Sequence, residues 1–134
     1  MNTLVVITLM NKLVIVVEGI LPNLNEYIKS INGSRYSGNS LKQNATDICY
    51  YAGMEQKSRD FVPISTPAQF DFVWFCRDKK VDPDNFTSAG RKFFLDGIQK
   101  AGIITNDGWK NVGGFSDKWY VDSDHPRLEV TITY

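Results

Sequence analysis

Residues 69–86 read "QFDFVWFCRDKKVDPDNF". Phe70, Phe72, Trp74 and Cys76 alternate with Asp71, Val73 and Phe75, the period-two pattern of a strand. Directly after Cys76 the apolar run stops, and Arg77, Lys79 and Lys80 are interleaved with Asp78, Asp82 and Asp84. A core strand that ends in so much charge has two physical readings. If the strand continues, Asp82 and Asp84 share a face and present their carboxylates side by side. Such a pair repels unless a cation neutralises it, and Mg²⁺ takes oxygen ligands of this kind while keeping several waters. Pro83 cannot donate to a ladder, which puts the pair at a strand end or edge. The other reading is a turn, because Asp-Pro-Asp-Asn is rich in turn formers and caps a following helix. The stretch alone leaves both open. A calcium loop is excluded: counting from Asp78 or Asp82 puts Ala89 or Phe93 where the bidentate Glu is needed, and the required Gly is absent.

Outward from this stretch the pattern is α+β. Residues 88–101 predict a helix capped by Thr87 or Ser88, with Phe94, Ile98 and Ala101 on one face and Gly102 as terminator. Upstream, Leu41, Ala45, Ile48 and Ala52 fall at helical spacing, with Ser40 as N-cap and an end near Lys57. The β-branched run 12–18 predicts a strand buried on both faces. Residues 19–40, rich in Gly, Asn and Ser, predict a long loop with a short helix near 26–31. Downstream, "NDGW" at 106–109 is a turn signal and Asp107-Gly108 fits a type I′ hairpin turn. "KWYVD" at 118–122 and "RLEVTITY" at 127–134 predict strands, the second with Leu128, Val130, Ile132 and Tyr134 on one face. The expectation is a single α+β domain over 1–134, a mixed β-sheet packed by two main helices.

The composition narrows the function less than the pattern does. At 134 residues, with 43% hydrophobic and 22% charged content, the chain has enough length and apolar matter for one real core. Its 15 cations balance its 15 acids. A nucleic-acid partner would therefore have to be met by cations gathered locally rather than by a global field. Cys49 and Cys76 lack metal-ligand spacing and a neighbouring base, so they read as reduced thiols rather than ligands or nucleophiles. The apolar N-terminus is interrupted by Asn11, Lys12 and Glu18, which argues for strands against a signal peptide or a membrane span. "MNTLVVI" and "MNKLVIV" echo each other, either as two strands or as an extension of residues 1–9 before a domain starting at Met10.

Further acids and cations extend the charged strand end. After the helix, Ile103 and Ile104 lead to Asp107, which returns near Asp82 and Asp84 if the helix packs back on the sheet. Lys92 lies about two turns beyond those acids. Its bland role is a pair with Asp96 on a solvated helix face, worth a few tenths of a kcal/mol; its functional role is to hold a phosphate. His125 sits in the loop-like "DSDHPR", and Trp74, Phe75, Trp109 and Trp119 read as packing residues.

The stretch "DPDNF…KFFLDGIQKAGIITND" with the terminal "RLEVTIT" resembles the RusA family of Holliday junction resolvases. The motif's two acids fall on Asp82 and Asp84, its Asn on Asn85, its helical half on Leu95-Asp96 and Lys100-Ala101-Gly102, and its last acid on Asp107. "LPNLNEY" at 21–27 is similar to the family's segment after the first strand. Between Asn85 and Lys100 this chain has a few more residues than the best-known member. Aligning backward from "LDGIQKAG" puts Lys92 on the family's lysine, with Arg91 as the alternative.

The resemblance implies a small homodimeric endodeoxyribonuclease, often phage- or prophage-encoded and acting in the bacterial cytoplasm, that cuts four-way DNA junctions with Mg²⁺ (Mn²⁺ as substitute). It implies Asp82, Asp84 and Asp107 as metal ligands, which would lower the pKa of a bound water. Lys92 would sit at the scissile phosphate and Asn85 behind the ligands. Arg77, Lys79 and Lys80 would contact backbone phosphates, with Arg91, and with Lys29 and Arg35 of the 22–39 loop, as further DNA contacts. No membrane partner is expected. Two alternatives stay open: a junction-binding protein that does not cut, and a metal-dependent nuclease of broader branched-DNA specificity.

Overall fold

A computed structural model of the chain describes residues 11–134; the expectation for residues 1–9 lies outside them. The element order is β1 (Lys12–Glu18), α1 (Leu24–Gly33), α2 (Arg35–Gln56), β2 (Ala68–Cys76), α3 (Pro83–Lys100), β3 (Val112–Val121) and β4 (Arg127–Thr133). The strands form one sheet in the order β1-β4-β2-β3. β4 runs antiparallel to both β1 and β2, while β3 is parallel to β2. The sheet is thus mixed and the domain α+β, as the pattern implied.

Parallel neighbours need a crossover connection, and α3 supplies it between β2 and β3. The register sets Glu18, Cys76 and Val121, the last residues of β1, β2 and β3, at one end of the sheet beside Arg127, the first of β4. The charged stretch 77–85 leaves the sheet at that end, and α3 starts there.

Alternation fills one face of the sheet. Phe70, Phe72 and Trp74 of β2, Leu128, Val130 and Ile132 of β4, and Ile15 and Val17 of β1 are buried against Phe93, Phe94 and Ile98 of α3 and Ala45 and Cys49 of α2. Phe72 stands edge-on to Phe94 at 5.5 Å between ring centroids. α2 and α3 approach closely because Gly97 has no side chain: a Cβ there would stand 2.5 Å from that of Cys49 and 2.8 Å from the Thr46 carbonyl oxygen. Gly102, with φ of +74°, ends α3 in the left-handed conformation glycine adopts without strain.

Several sequence expectations are corrected. β1 is buried on one face only, with Val14 exposed. The loop expected over 19–40 is mostly helical. Asn23 and Glu26 close a capping box at the start of α1, and Ser34 caps α2 one residue after α1 ends. Of the glycines that suggested a loop, Gly38 serves packing: a Cβ there would meet the Ile31 side chain at 2.8 Å. The buried stripe of α2 is Gly38, Ala45, Cys49 and Gly53, and Ile48 is exposed. Among the described residues stand the two main helices expected, α2 and α3, and α1, the short helix expected near 26–31, which runs longer than read. β3 begins at Val112, six residues before the predicted start.

Candidate active site

α3 begins earlier than expected, and this decides between the two readings of "DPDN" for local conformation. Asp82 is the N-cap, Pro83 occupies the first helical turn, and Asp84 follows in it. Pro suits that position because its missing N–H would be unpaired there anyway. The strand argument for side-by-side carboxylates does not hold, since residues two apart on a helix do not share a face. Both acids are exposed, and among the described residues neither carboxylate has a hydrogen-bond or ion-pair partner; Asp82 does not cap the helix through its side chain. The helix dipole favours negative charge at this end. Asn85 ties two helices together, its Oδ1 accepting from the backbone N–H of Asn25 at 3.0 Å.

Eight residues further along α3, Lys92 donates to Asp96 and to Asp107, both at 3.0 Å. Its pKa is raised by the hydrogen bond to Asp96 and then by that to Asp107. The Asp107 carboxyl is held below its usual range, mainly by Lys92. Asp107 returns to α3 beside Lys92, about two turns beyond Asp82 and Asp84, where it was expected, by a route fixed at Asn111. Asn111 is fully buried, donating to the carbonyls of Ile64 at 2.7 Å and Thr66 at 3.3 Å. Its Oδ1 accepts from the Thr105 hydroxyl and from the Asn106 N–H, both at 2.7 Å. The Asn106 carboxamide in turn accepts from the Gly108 N–H at 2.6 Å. This is not a type I′ hairpin turn, which needs positive φ at two residues; among the described residues only Gly19 and Gly102 have positive φ. Nothing in the sequence pattern singled out Asn111.

Arg91 and Lys92 are turned to different surroundings. Arg91 pairs with Asp117 of β3 at 3.4 Å and lies over the Phe115 ring, 4.9 Å from its centroid. Asp117 also accepts from the indole N–H of Trp74 at 2.9 Å. Arg91 thus belongs to the helix–sheet contact, while the exposed Lys92 takes the position facing Asp107. Asp117 was not singled out in the sequence, where it reads as one more polar residue before a strand.

The cations after β2 line the open end of the sheet. Arg77, Lys79 and Lys80 are exposed. Asp78 shapes their turn, its carboxylate accepting from the Lys80 backbone N–H at 2.9 Å. Beside them a groove of about 520 Å³ is lined by Arg77, Lys80, Trp74, Phe86 and Arg127 among others. Lys29 lies on α1 and Arg35 opens α2, both exposed, on helices rather than on a loop arm. Trp109 is almost wholly exposed and not a packing residue, whereas the Trp119 indole N–H donates to Thr87 at 3.0 Å. His125 meets Glu18 across the same end of the sheet. Burial pushes the Cys49 thiol up to about 12, which keeps it protonated and inert.

The expected magnesium ligands can be tested against this placement. Helical rise sets Asp84 about 12 Å along α3 from Lys92, and Lys92 reaches away from Asp84, toward Asp96. Among the described residues no three His, Cys, Asp or Glu side chains gather as a metal-holding group. Asp82, Asp84 and Asp107 have oxygen chemistry suited to Mg²⁺, but as placed they do not fit one ion together. Among the described residues no helix is long and apolar enough to cross a membrane. Comparison with known proteins finds no family model that matches the chain and no matching curated relative, so the RusA likeness rests on the quoted residues alone.

Proposed function

We propose that this chain is a RusA-like, Mg²⁺-dependent endodeoxyribonuclease directed at four-way DNA junctions, acting as a homodimer. The observation that supports it best is the return of Asp107 to α3, where Lys92 joins it: the residues that the motif comparison sets on the family's lysine and last acid meet at 3.0 Å. In this reading Arg77, Lys79 and Lys80 bind backbone phosphates, which gives salt-dependent affinity without sequence information. Asp82 and Asp84, free of protein partners among the described residues, face the same DNA. Lys92, exposed on its outer side, offers a point charge to a phosphoryl oxygen.

A second reading is favoured by a specific observation. Asp107 meets Lys92, about 12 Å along α3 from Asp84, and among the described residues no metal-holding group is gathered, which suits a protein that binds branched DNA without cutting it. One experiment decides. Purified protein is incubated with a synthetic four-way junction, a flap and a plain duplex, with Mg²⁺ or with chelator. Junction cleavage that needs Mg²⁺ and disappears in Asp84→Asn supports the nuclease. Tight junction binding with no product in Mg²⁺ or Mn²⁺ sinks it in favour of the second reading. Equal cutting of duplex and junction removes the junction specificity.

A further inference from the structure

The groove at the end of β2 has an unusual pairing of walls. Its apolar lining includes Leu21, Trp74 and Phe86, and its charged lining carries Arg77 and Lys80 with the acids Glu26 and Asp78. The aromatic side is rigid. Trp74 is stacked on Phe72 at 5.7 Å, packed against Phe86 at 5.6 Å, and held at its indole nitrogen by Asp117. The basic side is free: among the described residues neither the Arg77 nor the Lys80 side chain has a hydrogen-bond or ion-pair partner. Arg127, which also lines the groove, is differently placed. It lies 3.7 Å over the Phe75 ring and pairs with Asp122 and Glu129, so it is a wall and not a free donor.

An occupant that satisfies both walls has a flat apolar face and an anionic group at its edge. At about 520 Å³ the groove has the size of ordinary small-molecule sites. Its position adds a constraint. Val81 and Phe86, two of its lining residues, bracket Asp82–Asn85 in the chain. The groove thus adjoins in the chain the start of α3, where Asp82 and Asp84 are unpartnered among the described residues.

We propose that this groove receives one unpaired nucleotide, its base against Phe86, which the buried Trp74 backs, and its phosphate between Arg77 and Lys80. This rests on the proposed action on DNA and names the feature of the substrate that is read: a nucleotide released from pairing at the branch, not the duplex arms. A base offers every nucleotide the same flat face, so the groove reads exposure of a base rather than sequence.

The test uses the full chain in chelator, so that cleavage plays no part. Thymidine 5′-monophosphate, deoxyribose 5-phosphate and inorganic phosphate are titrated calorimetrically. The nucleotide is expected to bind on the order of tenfold more tightly than the sugar phosphate, the scale of one stacked base. Lys80→Ala and Arg77→Ala, both at exposed positions, are expected to weaken nucleotide binding severalfold. Phe86→Ala should abolish the preference for the nucleotide over the sugar phosphate, with circular dichroism checking that it folds. Equal affinity for nucleotide and sugar phosphate overturns the inference, as does nucleotide binding unchanged in the Arg77 and Lys80 variants. Mg²⁺-dependent junction cleavage without nucleotide binding removes this inference and leaves the nuclease standing. Nucleotide binding with no junction cleavage removes the nuclease and leaves the groove.

Discussion

The two ends of the candidate site on α3 are built in opposite ways. At the start of the helix, Asp82 and Asp84 are exposed and unpartnered among the described residues, with Arg77 and Lys80 equally unengaged nearby. At its middle, Lys92, Asp96 and Asp107 form a closed set of hydrogen bonds in which one cation serves two carboxylates. An open set of charges is available to a ligand and contributes little to the fold. A closed set is available only if a ligand competes with internal bonds. On the proposed function, the helix start is the end open to the substrate, and the middle is the end that positions.

Substitutions at the two ends should separate these roles. The largest effect is expected at the open end: Asp84→Asn should lower junction cleavage by on the order of 100-fold or more, the scale of losing one transition-state contact. Its urea midpoint should stay within the scatter of ordinary surface substitutions. A cleavage rate within a factor of two of the parent would remove Asp84 from the chemistry.

Next comes Asn111→Ala, which strips the partners from buried carbonyls and from the Asn106 N–H and frees Asp107 from its route. The cost is about 2–4 kcal/mol in urea unfolding, since each orphaned buried group costs roughly 1–3 kcal/mol. A loss below 1 kcal/mol would mean that water replaces the carboxamide.

Arg91→Ala and Lys92→Ala form a pair of smaller effects with opposite signatures. Arg91→Ala should cost about 1 kcal/mol through lost packing on Phe115 and the lost Asp117 pair, with cleavage nearly unchanged. Lys92→Ala should lower cleavage about tenfold or more, while its half-exposed pairs are worth only a few tenths of a kcal/mol. The reverse pattern would move the functional cation to Arg91.

The smallest effect is the pH dependence of the closed set. The Asp107 pKa is lowered in the folded state, so its contribution is present above its unfolded value near 3.8 and is lost as pH falls through the lower folded value. The Lys92 pKa is raised, so its contribution is complete below its unfolded value near 10.5 and is lost as pH rises through the higher folded value. Between those limits the Lys92–Asp107 link should be flat with pH. In Asp107→Asn the acid-side loss of stability should shrink by tenths of a kcal/mol, and an unchanged acid limb would show that the link contributes nothing.

Much of the sheet was legible because burial imposes a period of two. Phe70, Phe72 and Trp74, and Leu128, Val130 and Ile132, alternate and are buried as read. The face of α3 was equally plain in Phe94, Ile98 and Ala101. Helices α1 and α2 were less so, because α1 buries no residue and α2 packs through glycine and small side chains, which look like loop composition. In the site, the pair of Lys92 with Asp96 was readable from helical spacing; its pair with Asp107 was not, since the reading set Asp107 beside Asp82 and Asp84. Asp117 and Asn111 were not, since each takes its role from partners more than 40 residues away, Trp74 and Ile64.

The sequence by itself determined an α+β chain with an apolar strand running into charge, and a helix after it that carries Lys92 and ends at Gly102. Local periodicity and capping chemistry suffice for that. Only the tertiary structure decided that Asp82 and Asp84 open a helix instead of ending a strand, and that Arg91 turns to the sheet while Lys92 meets Asp107. The physical reason is that Asp-Pro-Asp is compatible with a strand end and a helix start alike. The choice falls to whichever lets Thr87, Ala89 and Phe93 reach the core.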